Sequence, residues 1–398
     1  MIEAAPKSKE ALTGRLEAVF AECGKRAAHY DANNLFFQED FDALKEAGYL
    51  LMAVPEEFGG YGMSVAETSQ LTRKLAYHAA PTALALNMHV YWTGLISDLW
   101  RAGDDSLVWV LEEAGKGKVF AAGHGESGND SPGLFSTTRA ERVNGGYKFT
   151  GHKMFGSLTP VWDYLGLHGQ DNSDPDNPVV IHAFMPRDTE GYEIRETWDD
   201  VLGMRATRSD DTILNGVFIP EEYISRKVPA GFKGVDGFVL GIFIWALFGF
   251  ANVYYGLAQR IFDFVVEKVQ KKTSISLGRP SMAYHPGVQR DISEMVLRLE
   301  AIGPHLDTLA REWSEGVDYG PAWGVKIVAA KCHAVEGSWD IADRALDVLG
   351  GMGLSRKAGF ERLFRDMRLG KIHPANSYYA REVMAKGMLG LDLDYRPR

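Results

Sequence analysis

Cysteine is nearly missing from this chain: 398 residues hold two, Cys23 and Cys332. That excludes a disulfide framework and a cysteine-rich metal site, and it fits a reducing, cytoplasmic setting. Positive charge is short as well. Lys and Arg number 43 against 53 Asp and Glu, for a formal net charge of -10, so no nucleic-acid partner is expected. The opening MIEAAPKSKE has no apolar core, and no secretory leader is expected there. One long apolar run calls for a membrane check. Residues 237–259 carry no charged side chain, but Gly241, Gly249, Asn252, Tyr254 and Tyr255 dilute the run, so a buried helix is expected and no membrane span. Several catalytic signatures are missing too: G-x-x-x-x-G-K-[ST], H-E-x-x-H, a G-x-G-x-x-G between strand and helix, and a nucleophile elbow. A large apolar scaffold with glycine-rich loops and none of these points to an organic cofactor carrying the chemistry.

What is present sorts into three regions. Up to about residue 115 the texture is helical. Leu12, Leu16, Val19/Phe20, Cys23 and Ala27 recur at three- and four-residue steps, Gly48 ends a second helix, and Ser64 is a good cap for a third. A further apolar helix spans 83–100 and carries His89. From about 116 to 228 short β-branched runs appear, at 146–150, 179–184 and 213–219. Turn clusters at 144–146 and 171–175 separate them, which predicts an antiparallel β domain. Helices return from about 237. Val288, Ile292, Met295, Leu299, Ile302, Leu306 and Leu309 form one seam, a second helix covers 326–349, and a loop at 274–286 lies between the helices.

Four stretches carry candidate chemistry. Residues 120–130, FAAGHGESGND, form a glycine-rich loop whose backbone N–H groups suit an anionic or carbonyl-bearing ligand. Residues 151–157, GHKMFGS, set Phe155 beside Ser157 on a β element. Residues 202–210, LGMRATRSD, put Arg205 and Arg208 beside Thr and Ser hydroxyls, with phosphate grip and plain surface charge both open. Residues 346–377 join a helix stop at Gly350-Gly351-Met352-Gly353, an amphipathic Arg/Asp segment, and a histidine, His373, at a break made by Pro374.

In this order the motifs resemble those of the acyl-CoA dehydrogenase family across essentially the whole chain. Residues 54–64 are similar to its PEE-[YF]-GG-x-G-x-S turn, and 120–130 to F-A-x-T-E-P-x-A-G-S-D. Residues 151–157 are similar to G-x-K-x-W-I-T, and 202–211 with 217–220 to L-G-x-R-x-[ST] running into x-V-x-V-P. Residues 256–260 resemble the opening of the family's first bundle helix, 349–353 its L-G-G-x-G, and 361–366 its [EK]-[RK]-x-x-R-D. The resemblance implies an α+β multidomain fold: an N-terminal helical domain (1–115), a central antiparallel β-barrel-like domain (116–228) and a C-terminal four-helix bundle (229–398). It implies FAD, with Phe155 and Ser157 at the isoalloxazine and the backbone around Gly123 and Gly128 lining flavin and substrate. Gly350 and Gly351 would admit a partner chain near the adenosine, and Asn376 would stand near the pyrophosphate. Asn129, Arg205 and His89 are the candidate substrate contacts.

The departures bear on mechanism. The family's catalytic Glu in I-Y-E-G-T is here Pro374, and 245–247, where a second subgroup carries its Glu, holds no carboxylate. The Arg that reaches FAD across the interface becomes Lys272, with Ile275 for Phe. Asp347 replaces a Gln, and Gly123 replaces the Thr of T-E-P. His373 is then the nearest residue able to accept a proton, and so the candidate catalytic base. The leading expectation is an FAD-dependent α,β-dehydrogenation of an acyl-CoA thioester in lipid metabolism, in a homodimer or homotetramer, with electron-transfer flavoprotein or a flavin reductase as partner and the electron acceptor left open. A two-component flavin monooxygenase of the dibenzothiophene and hydroxyphenylacetate type, served by a flavin reductase, is the alternative. A non-catalytic subunit sharing FAD in a hetero-oligomer is the third.

Overall fold

The computed structural model describes residues 8–275, 278 and 281–394. The ends of the expected first and last domains, and four residues of the expected 274–286 loop, lie outside these. Helix α1 (Lys9–Asn33) starts on the Ser8 hydroxyl, which accepts from the Ala11 N–H, and ends on Asn34 in the left-handed region. Its face of Leu12, Leu16, Phe20, Cys23 and Ala27 is buried. Helix α2 (Gln38–Ala47) stops at Gly48. Ser64 and Glu67 form a capping box at the start of α3 (Val65–Arg101), which kinks at Ala79, two residues before Pro81. The kink separates the two helices expected here. Helix α4 (Val108–Gly115) completes the first helical region.

Eight strands follow: β1 (Phe120–Gly123), β2 (Arg139–Val143), β3 (Gly146–Gly156), β4 (Tyr164–Asp171), β5 (Val179–Pro186), β6 (Tyr192–Arg195), β7 (Asp210–Pro220) and β8 (Ile224–Pro229). They form one sheet in the order β6-β7-β3-β2-β4-β5-β8, with β1 beside β4. The sheet is mixed, which corrects the antiparallel expectation. β1 runs parallel to β4, Phe120 opposite Tyr164, and β2 is parallel to β4 at Arg139 and Gln170. The two turn clusters do close antiparallel pairs, β2–β3 and β4–β5. The parallel pairs join strands distant in sequence, where no turn residue announces the direction. Among the described residues no ladder joins the end strands β6 and β8, so the expected barrel-like closure is not made by strand pairing.

The second helical region holds α5 (Gly237–Lys271), α6 (Pro286–Ser314), α7 (Ala322–Leu349), α8 (Phe360–Arg368) and α9 (Ser377–Leu389). Helix α5 is long and apolar enough to cross a membrane, but 83% of its most apolar window is buried inside the protein. It lies between α3 and α7. Small residues permit this approach: a Cβ on Gly94 of α3 would sit 2.3 Å from the Trp245 ring of α5, and one on Gly249 of α5 1.8 Å from Asn87 Oδ1. The α6 seam is buried or half-buried along its length, packed on α5 and α7.

Charged contacts join the regions. Arg365 of α8 grips Asp31 of α1 with two nitrogens (3.0 and 2.6 Å), and also the Leu202 carbonyl (2.8 Å) and Glu361 (2.6 Å). The adjoining Asp366, fully buried, accepts the Met204 N–H at 2.5 Å. Asp98 accepts the indole N–H groups of Trp245 (2.8 Å) and Trp313 (3.0 Å), tying α3 to α5 and α6.

Candidate active site

The glycine-rich loop after β1 is organised by Glu126. Its carboxylate, buried, takes the Lys153 ammonium (2.5 Å), the Ser136 hydroxyl (2.7 Å), the N–H groups of Thr137 (2.9 Å) and Thr138 (3.0 Å), and the Asn129 amide (2.9 Å). Burial acts to raise its pKa, but Lys153 and these donors outweigh burial and bring it to about 2. Burial lowers Lys153 to about 8 against the pull of Glu126. Gly125 passes against β3, where a Cβ would fall 2.5 Å from the Met154 carbonyl, and Gly128 has φ +76°. Gly123 is buried against Leu165. The Glu126–Lys153 pair went unnoticed in the sequence, although its two members sit in adjacent motifs.

Two of the expected substrate contacts, Asn129 and His89, have hydrogen-bond partners within the protein. Asn129 donates to Glu126 and to the Phe135 carbonyl, and its oxygen accepts the Ser131 N–H, so its side chain folds the loop. His89 is fully buried. Its Nε2 lies 2.9 Å from the Leu50 carbonyl, to which it donates, and Nδ1 accepts the Phe120 N–H at 3.1 Å. Burial lowers it to about 4, and both nitrogens are used. Both side chains thus have partners inside the fold. Arg205 turns its Nε onto the Val201 carbonyl (2.9 Å) in its own loop.

At the end of β3 the chain breaks register, and Phe155 takes φ +63°. A bulky residue with that backbone angle signals local strain of the kind found at binding sites. Its ring is 55% exposed, edge-on to Trp198 at 6.0 Å. Beside it Ser157 shares a hydrogen bond with Ser209 (2.8 Å), which shares another with Thr207 (2.7 Å). An exposed ring thus stands beside a row of buried hydroxyls.

The remaining expected site residues lie in the α7–α9 region. Helix α7 ends at Gly350 (φ +59°), and Lys272 donates to the Leu349 carbonyl at 3.1 Å, a cation at a helix C-terminus. Gly351 would place a Cβ in open space. Asn376 caps α9, its oxygen accepting the Tyr378 and Tyr379 N–H groups. Lys272 and Asn376, both expected at the cofactor, thus have structural partners of their own. His373 stacks on Phe250 of α5 (4.8 Å between centroids, 20° between planes), with Tyr254 at 5.8 Å. Its Nε2 is buried and has no hydrogen-bond partner among the described residues. Burial, and then the neighbouring Lys331 ammonium, lower the imidazole to about 3, so it is neutral.

The order of helical region, mixed sheet and helical region, with an aromatic platform and a glycine turn ending a long helix, defines a class of enzyme scaffold. Two family models match it: acyl-CoA dehydrogenase, N-terminal domain, over residues 9–107, and acyl-CoA dehydrogenase, C-terminal domain, over residues 246–389. The chain belongs to the acyl-CoA dehydrogenase family. It is similar to the putative acyl-CoA dehydrogenase YdbM of Bacillus subtilis (strain 168), at 28% identity over 89% of this chain and 90% of that one. It is also similar to the dibenzothiophene monooxygenase of Mycolicibacterium goodii, at 25% identity over 87% and 86%. Among solved structures it resembles KijD3 in complex with FMN and a dTDP-amino-keto sugar. That match has TM-score 0.84 and 22% identity, and covers 98% of this chain and 97% of the other.

Proposed function

We propose that this chain is a flavin-dependent monooxygenase acting on a small molecule. His373 carries the reading. Dehydrogenation of an acyl-CoA begins with removal of an α proton, and a positioned base contributes about 10²–10⁴-fold to such a step. At this bend the family's Glu position is Pro374, and the one charged group that shifts His373 is the Lys331 cation. An imidazole held near 3 is a weak proton acceptor. As a neutral ring with an unpaired, enclosed Nε2, it suits hydrogen bonding to a ligand better than deprotonation.

The residues fit a flavin. The exposed Phe155 ring, the Ser157–Ser209–Thr207 hydroxyls and the open backbone at Gly128 and Gly351 suit a planar ring system with a polar tail. When bound, a flavin supplies a two-electron store and, in its reduced form, activates dioxygen. This chain's own residues would hold the ring at Phe155, orient its edge through the hydroxyls, and shield one side of the cleft with Phe250 and Tyr254. The similarity to a dibenzothiophene monooxygenase and to an FMN-bound structure supports this reading; the family resemblance favours FAD.

The similarity to YdbM favours the second reading, a dehydrogenase on an acyl-CoA served by electron-transfer flavoprotein. In either case we read the protein as a homodimer or homotetramer, since Leu354, Ile372, Tyr378, Met388 and Leu389 are all well exposed along the chain's last helical stretch. The test loads the protein with FMN or FAD and mixes it anaerobically with a panel of acyl-CoAs. We expect no loss of the oxidised-flavin absorbance. A flavin reductase, NADH and oxygen should then support substrate oxygenation, with one oxygen atom in product and the other in water. Bleaching by any thioester overturns the monooxygenase reading.

A further inference from the structure

We propose that Lys331 is the positioning residue for His373: its buried ammonium, clamped by three backbone carbonyls of the bend, fixes the ring against Phe250 with Nε2 free. Lys331 lies mid-way along α7 and is 2% exposed. Its three donors meet the carbonyls of Ala375 (2.7 Å), His373 (2.9 Å) and Gly370 (3.4 Å). Among the described residues no carboxylate is hydrogen-bonded to it, so the bend itself solvates the cation. From the opposite side Gly370 packs on Tyr254, where a Cβ would lie 3.0 Å from the ring, while Phe250 stacks on His373. Five residues on, Glu336 of α7 holds Lys371 (2.8 Å) and the Ser377 hydroxyl, so the outside of the bend is pinned by the same helix. A bend held from within by a cation and from without by an anion has little freedom to turn its histidine. A cation this close also opposes protonation of the ring.

The inference rests on the reading of His373 as the ligand-facing group, and its test separates the two. Lys331→Met and Lys331→Gln are compared with wild type in the flavin-loaded protein, with ring-labelled histidines followed by NMR and His373→Asn used for assignment. We expect the His373 resonances to move and its titration to rise in both variants. We also expect kcat to fall by about 10²-fold, the scale of a 1 Å misplacement, with KM little changed. Burial lowers Lys331 to about 8, so in wild type the same resonances should shift as pH passes that value, a readout that needs no variant. Cys332 and Glu336 face Lys331 as well; burial raises the Cys332 thiol and hydrogen bonding lowers Glu336, which takes both away from that window. Unchanged His373 resonances in variants and across that pH range overturn the proposal. Shifted resonances together with full turnover in His373→Ala would leave Lys331 as the clamp and remove His373 from the chemistry.

Discussion

Replacing His373 by alanine is expected to lower turnover by about 10²-fold or more while flavin affinity stays within a few-fold. On the proposed reading the ring turns its Nε2 to a ligand, and Lys331 holds the bend through backbone carbonyls that survive the change. Flavin titration followed by steady-state kinetics checks both halves. Glu126 gives a second prediction at this scale. Its carboxylate and the Lys153 ammonium are both enclosed, so Glu126→Gln leaves a buried cation without its counter-charge. A loss of about 3–5 kcal/mol is expected in urea unfolding, and combining Glu126→Gln with Lys153→Met should recover part of it, because the double variant leaves no unpaired charge. The sequence showed both residues but not their meeting. Glu126 reads as one more polar residue of a glycine-rich loop, and Lys153 as part of an alternating strand.

At the scale of elements, α8 is the clamp. Arg365 reaches α1 through Asp31 and the loop before β7 through the Leu202 carbonyl, so one side chain bonds to all three regions. Arg365→Ala is expected to cost about 3 kcal/mol, the upper end for hydrogen bonds to a charged group, measured by chemical denaturation. Asp366 behaves differently. Burial raises it to about 6, above its value near 3.9 in the unfolded chain. The folded state therefore holds the proton more tightly, and the stability this adds is present below pH 4 and lost as pH rises through 6. Asp366→Asn, which does not titrate, should compare more favourably with wild type at pH 7.5 than at pH 4.5 in thermal melts. The amphipathic Arg/Asp pattern of 360–368 identified a helix with one buried face. Which of its charges would be buried depended on where α1 and the 202–204 loop came to rest.

Taken as a whole, the molecule buries neutral histidines. Burial lowers His89 and His182 to about 4 and His124 and His373 to about 3. Unfolded, each returns to about 6.5. Their contribution is complete above pH 6.5 and is lost as pH falls toward the folded values, because the unfolded chain then binds protons that the folded one refuses. Four such groups outweigh the opposite slope of Asp366, so the melting temperature should fall steadily from pH 7 to pH 5. A flat profile would show these rings to be hydrated and free to charge.

Much of this architecture is local and was legible. The Ser64 cap with Glu67, the α6 seam and the turn residues at 144–146 each fix backbone shape through neighbours a few residues away. Motif order along the chain was enough to recognise the family, because those turns and glycines recur where backbone must pass close to something. What the sequence could not settle was distance across the fold. The parallel pairing of β1 with β4, the satisfied nitrogens of His89, the loop-bound amide of Asn129 and the carbonyl cage around Lys331 all join residues far apart in the chain. Hydrogen-bond partners of buried polar groups are set by packing, and packing is decided by the whole chain at once. By itself the sequence determined a missing carboxylate at position 374 and a histidine beside it. The tertiary structure alone decided that this histidine is neutral, because it sits in an aromatic slot with a cation behind it.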